Sequence, residues 1–126
     1  MIRKTFILAP AAALLAWATM LPAQNAAHPD GSALFRQRCG SCHSVAPSQR
    51  AVLAPNLAGV VGRKAGSTSF TYSPALKNSN LTWTRANLDR FLTAPARMVP
   101  GTRMVVMISD AQQRAAVLDF LTRPTP

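Results

Sequence analysis

The sequence predicts an all-α domain of three main helices with long loops between them. Three observations carry that prediction. Apolar residues recur at helical spacing in three separate segments, no run alternates in the strict manner of a half-buried strand, and the segments are bounded by capping residues and prolines. The loops are also long for so small a core, which implies that a large flat group other than protein fills the middle.

The first helix is expected from Gly31 to Cys42, where Leu34 and Phe35 form an apolar stripe beside Arg36 and Arg38, with Asp30 or Ser32 as the cap. Thr84 can cap a second helix, in which Leu88, Phe91 and Leu92 share one face before Pro95 stops it. Ser109-Asp110-Ala111-Gln112 has the form of a capping box and opens a third, whose Val117, Leu118 and Leu121 stripe ends before Pro124. A short helical turn is expected around Pro74 to Lys77. From Ser44 to Tyr72 run 29 residues rich in Pro, Gly, Ser and Thr, and Ala94 to Thr102 forms a second irregular stretch with Pro95, Pro100 and Gly101.

With 126 residues the chain is one domain at most, and 14 basic against 4 acidic residues give a net charge of +10. An apolar fraction of 48 % and a charged fraction of 14 % exclude a disordered polycation. Two cysteines exclude a disulfide-dense scaffold and point to a single special site.

At the N-terminus, Arg3 and Lys4 precede the uncharged stretch Thr5 to Leu21, followed by Pro22-Ala23-Gln24-Asn25-Ala26-Ala27. This is the pattern of a secretory signal peptide over residues 1–23, with cleavage after Ala23 or, alternatively, Ala26 or Ala27. A retained membrane anchor is the rival; Pro10 and a length somewhat short of the roughly 20 residues of a spanning helix speak against it. Cleavage after Ala23 removes two basic residues and no acidic ones, leaving a charge of +8. Residues 24–29 then form a flexible segment, residues 30–123 the domain, and the expected compartment is the periplasm.

Cys39-Gly40-Ser41-Cys42-His43 is the Cys-x-x-Cys-His signal of covalent haem attachment. The two sulfurs on one side of a turn can each form a thioether with a porphyrin vinyl group, and the adjacent imidazole can ligate the iron from the proximal side. A thioredoxin-like pair would open a helix after a strand, whereas this motif ends a helix. A plain disulfide leaves His43 unexplained, and a zinc site from Cys39, Cys42, His43 and His28 would ask the neighbouring Cys42 and His43 to reach one tetrahedral ion.

The chain resembles the class I cytochromes c, in the mitochondrial-like branch that includes small soluble bacterial carriers. The resemblance runs from Gly31 to Leu121. It rests on Gly31, Leu34-Phe35, the Cys39–His43 motif, Ala54-Pro55-Asn56-Leu57-Ala58-Gly59, Gly62-Arg63-Lys64, Phe70-Thr71-Tyr72-Ser73, Leu81-Thr82-Trp83 and Pro100-Gly101-Thr102-Arg103-Met104. It implies one haem c held through Cys39 and Cys42, with His43 and Met104 as axial ligands. A neutral thioether opposite a neutral imidazole favours ferrous iron and a comparatively high potential. Six-coordinate iron leaves no open position, so the expectation is a single-electron carrier and not an enzyme.

The resemblance further assigns the Pro55 carbonyl to the second ring nitrogen of His43. It assigns Arg63, Tyr72, Trp83 and Thr102 to the haem propionates, and Gly31, Phe35 and Leu121 to the crossing of the terminal helices. Met98 and Met107 read as core packing. Leu76 stands where some relatives carry Asn and Phe91 where many carry Tyr, which implies a drier crevice near Met104.

Arg38 precedes Cys39 and Arg103 precedes Met104, so both are expected beside the haem, with Arg36, Arg97 and Lys77 extending the patch. A field of one sign steers encounters with acidic docking faces and makes them salt-sensitive. Expected partners are a terminal oxidase, a quinol-oxidising complex or a periplasmic dehydrogenase. A monomer is expected, with no nucleic acid and at most weak membrane-surface contact. Two other readings remain at this point. One is a dedicated cytochrome subunit of a periplasmic dehydrogenase; the other is a haem-based sensor or peroxidase, which requires Met104 to be off the iron.

Overall fold

A computed structural model of the chain describes residues 28–49 and 53–123. The expected signal segment 1–23 lies outside them, as do residues 24–27. Five helices follow in order: α1 (Gly31–Arg38), α2 (Pro74–Lys77), α3 (Arg85–Thr93), α4 (Pro95–Met98) and α5 (Ala111–Thr122). Among the described residues there is no strand, only an isolated antiparallel bridge between Lys64 and Thr82, and no helix long and apolar enough to cross a membrane.

Four of the five helices start where a side chain can take up their unpaired amides; α4, after Ala94, has no such cap. Asp30 caps α1 by accepting from the Ser32 and Ala33 amides, Ser73 caps α2, and Thr84 caps α3 through the Asn87 amide. At α5 the cap is Asp110, which accepts from Gln113 N at 2.7 Å. The cap expected on Ser109 therefore falls one residue later and without the reciprocal half of a capping box, because the carboxylate of Asp110 takes the free amide directly while Gln113 Oε1 accepts from Arg38.

Two boundaries differ from the sequence reading. α1 ends at Arg38 and not at Cys42, because the Cys39 and Gly40 amides both turn back to the Phe35 carbonyl, each at 2.8 Å. That closure unwinds the last turn, and Cys42 and His43 continue as a turn whose amides bond Cys39 O. Pro95 does stop α3, but it also occupies the first position of α4, where its missing N–H costs nothing. Part of the stretch expected to be irregular is thus helical.

The terminal helices cross tightly. A Cβ on Gly31 would lie 2.0 Å from the Ala116 carbonyl oxygen, so only glycine permits the approach. Beside it the Phe35 and Phe120 rings lie 5.2 Å apart, and Phe35, Val117, Leu118 and Leu121 are buried. α3 lies against α5 and adds Leu88, Phe91 and Leu92 to the core.

The long loop is ordered by cross-links instead of by an interior of its own. Gly62 N bonds Trp83 O at 2.9 Å, Trp83 N bonds Arg63 O at 2.8 Å and Ala65 N bonds Leu81 O at 2.8 Å, which sews the loop to the segment before α3. From Thr102 to Ile108 the chain lies outside any helix, bends at Arg103, and its side chains alternate between half-buried or buried and exposed. Met98 packs against the core as expected, but Met107 is 60 % exposed. The core reading of Met107 is corrected: burial alternates every second residue here, which turns it outward while Met104, Val106 and Ile108 turn in.

Candidate cofactor site

The core does not close. Between α3, α5, the long loop and the Met104 segment lies a cavity of about 290 Å³. It is lined by Cys39, Cys42, His43, Pro55, Arg63, Tyr72, Trp83, Thr102 and Met104, the nine residues singled out from the sequence, and by apolar side chains that include Leu76 and Phe91. The lining residues that also face solvent are Arg38, Cys42, Leu53, Arg103 and Val105, and they mark its mouth.

His43 is half-buried, and its Nδ1 lies 2.7 Å from Pro55 O. A carbonyl can only accept, so Nδ1 carries the proton and Nε2 keeps a free lone pair in the neutral ring. Burial pushes the imidazole pKa below its ordinary 6.5, with the bond to Pro55 opposing, so the neutral ligand form is favoured. Cys39 is buried, and desolvation raises its thiol to about 11 against a smaller opposing effect of Arg38. With no metal bound, a thiol held there is protonated at neutral pH and a poor redox nucleophile. Cys42 is exposed at the mouth.

Pro55 is itself held in place by its neighbour. Asn56 donates through Nδ2 to Ala46 O (2.7 Å) and Gln49 O (2.9 Å) and accepts from Ala58 N (2.7 Å). Arg63 donates to Ala58 O (3.1 Å) and Asn56 O (2.8 Å). Asn56 carries a role that the sequence reading did not give it; the signal available was a polar amide directly after the proline assigned to His43.

The other lining residues are also tied down. The Tyr72 hydroxyl pairs with Thr68 Oγ1 at 2.6 Å, Thr102 Oγ1 accepts from Met104 N at 3.2 Å, and Trp83 stacks obliquely on Phe91 with ring centroids 4.9 Å apart. Gly101 turns the chain toward Met104 at φ 89°, a conformation that side chains resist. Arg38 and Arg103 stand at the mouth, whereas Arg36, Arg97 and Lys77 do not line the cavity. Among the described residues no three His, Cys, Asp or Glu side chains converge, so zinc has no ligand set there.

Two thiols, an imidazole with a free Nε2 and a thioether around one apolar-walled cavity fit a covalently held haem. They do not fit a bare metal ion or a hydrolytic centre. The helical fold and this donor set define the class I cytochromes c.

Comparison with known proteins agrees. The cytochrome c family model matches residues 29–123. Cytochrome c2 of Rhodomicrobium vannielii is 47 % identical over 93 residues, covering 72 % of this chain and 74 % of that protein. Cytochrome c of Theileria annulata is 38 % identical over 92 residues, covering 72 % and 80 %. Among solved structures, cytochrome cH from Methylobacterium extorquens superposes with a TM-score of 0.67 at 38 % identity, covering 73 % of this chain and 93 % of that one. The chain belongs to the cytochrome c family: it is a monohaem electron-transfer protein and not an enzyme. The family binds haem c covalently, and Cys39 and Cys42 are the two cysteines that the attachment requires.

Proposed function

We propose that the protein shuttles single electrons between periplasmic redox partners that present acidic docking faces, with His43 and Met104 as the axial ligands of its haem. The observation that carries the reading is the convergence of Cys39, Cys42, His43 and Met104 on one apolar cavity whose mouth is flanked by Arg38 and Arg103. Haem in that cavity supplies a one-electron ferric/ferrous couple.

The chain's own residues do the rest. Cys39 and Cys42 anchor the group. The Pro55 carbonyl fixes the His43 tautomer so that Nε2 presents its lone pair. Met104 would offer a neutral thioether, and the apolar walls would keep water away, which favours the less charged ferrous state. Arg63, Tyr72, Trp83 and Thr102 are assigned to the propionates, whose charge needs donors where it is buried. Export is supported by the charged, apolar and small-residue pattern of residues 1–23, and by likeness to bacterial cytochromes c2 and cH.

Electron exchange between the holoprotein and a negatively charged small-molecule oxidant tests the role of the mouth. The second-order rate is expected to fall with ionic strength, and both the rate and its salt slope to fall in Arg38→Glu and Arg103→Glu. A rate independent of salt and unchanged in both variants would contradict the proposed docking face.

A further inference from the structure

The segment that carries Met104 is fastened at its ends and free in its middle. On the N-terminal side Thr102 N bonds Val99 O at 3.0 Å, Met104 N bonds Thr102 Oγ1 at 3.2 Å, and the Arg103 guanidinium donates to Thr71 O. The backbone hydrogen bonds among the described residues then skip Val105, Val106 and Met107. Pairing resumes at Ile108, 1 % exposed, whose amide bonds Leu92 O at 2.8 Å.

One side chain reinforces the C-terminal fastening that the Ile108 amide begins. Arg114 of α5 donates through Nη1 to Ile108 O (3.0 Å) and Ser109 O (2.7 Å), and through Nε to Asp89 Oδ1 (2.8 Å) on α3. Its side chain is only 11 % exposed. A planar guanidinium can serve two carbonyls and a carboxylate at once; an ammonium cannot match that fork. One of its three bonds ends on Ile108, the last residue of the Met104 segment, one on Ser109 directly after it, and the third ties it to the helix that supplies Leu88, Phe91 and Leu92 to the cavity wall.

We propose that Arg114 is a positioning residue for Met104, setting how often the thioether leaves its place in the cavity wall. This rests on the reading of Met104 as an axial ligand. Asp89 orients Arg114, and the free stretch from Val105 to Met107 gives the segment room to swing when its far end is released. An added ligand binds only the fraction of molecules in which Met104 has moved aside, so its apparent affinity measures that fraction.

The test is titration of the ferric holoprotein with imidazole, following the long-wavelength charge-transfer band of sulfur-ligated ferric haem. Arg114→Gln is expected to bind imidazole about tenfold more tightly, equivalent to about 1.4 kcal/mol. Asp89→Asn and Arg114→Lys are expected to give smaller increases, and they carry the comparison if Arg114→Gln does not accumulate as holoprotein. Phe35→Leu, which loosens the α1–α5 crossing away from this segment, is the comparator for global stability measured by denaturant unfolding. At matched loss of stability it is expected to leave imidazole affinity within about twofold of the unaltered protein. Equal gains in Phe35→Leu and the Arg114 variants, or no gain in any Arg114 or Asp89 variant, would overturn the proposal. Absence of the band from the unaltered protein would instead overturn the Met104 reading, and this proposal with it.

Discussion

The Nδ1 of His43 donates to the carbonyl oxygen of Pro55 at 2.7 Å, and Asn56 holds the loop that presents that carbonyl. Asn56→Ala leaves the Ala46 and Gln49 carbonyls without their donor and the Ala58 amide without its acceptor. The expected loss is about 1–3 kcal/mol in denaturant unfolding, with faster exchange of the His43 ring N–H in NMR of the ferrous protein. Unchanged exchange would mean that Pro55 is held by something other than Asn56.

Leu76 lines the cavity where a polar residue would bring in a dipole or water. Leu76→Asn is expected to lower the reduction potential, since polarity stabilises the more charged ferric state. Voltammetry showing an increase would contradict the dry-crevice account.

At the crossing of α1 and α5 there is no space for a side chain on residue 31, whose Cβ would meet Ala116 O at 2.0 Å. Gly31→Ala is expected to destabilise the holoprotein by about 2–3 kcal/mol as the helices are forced apart. Because the strain falls away from the ligands, the visible spectrum of the folded protein should not change.

The Asp30 cap gives a pH dependence. Hydrogen bonds from the Ser32 hydroxyl first, then from the Ser32 and Ala33 amides, hold its carboxyl below the usual 3.8. A folded-state pKa below the unfolded one means that the stabilisation is complete above 3.8 and is lost as pH falls through the folded value. Asp30→Asn keeps a capping acceptor without the charge, so unfolding measured on either side of pH 3.8 should show a shallower acid loss in the variant.

Features encoded locally were legible in the sequence. Thr84, Asp30, Pro95 and the Cys39–His43 motif act through neighbours a few residues away, and the shortage of large apolar residues in the long loop announced a cavity. What was not legible depends on partners far along the chain or on a backbone period that the residue types conceal. α1 ends at Arg38 because one carbonyl serves two amides, which no side chain signals. Met104, Val105, Val106 and Met107 are all apolar, so alternation in this segment left no mark, and Met107 was placed inside when Met104 and Val106 occupy that side. The Arg114 clamp joins α5 to residues from two other segments, and in sequence it is one more basic residue among 14.

The most direct test of the central claim is the visible spectrum of the purified protein, oxidised and reduced. Sharp reduced bands together with the long-wavelength ferric charge-transfer band are expected, with loss of that band in Met104→Ala and no rapid carbon monoxide binding by the unaltered ferrous protein. Sharp bands without the charge-transfer feature, and rapid carbon monoxide binding, would contradict the His43/Met104 carrier and return the protein to the haem sensors and peroxidases.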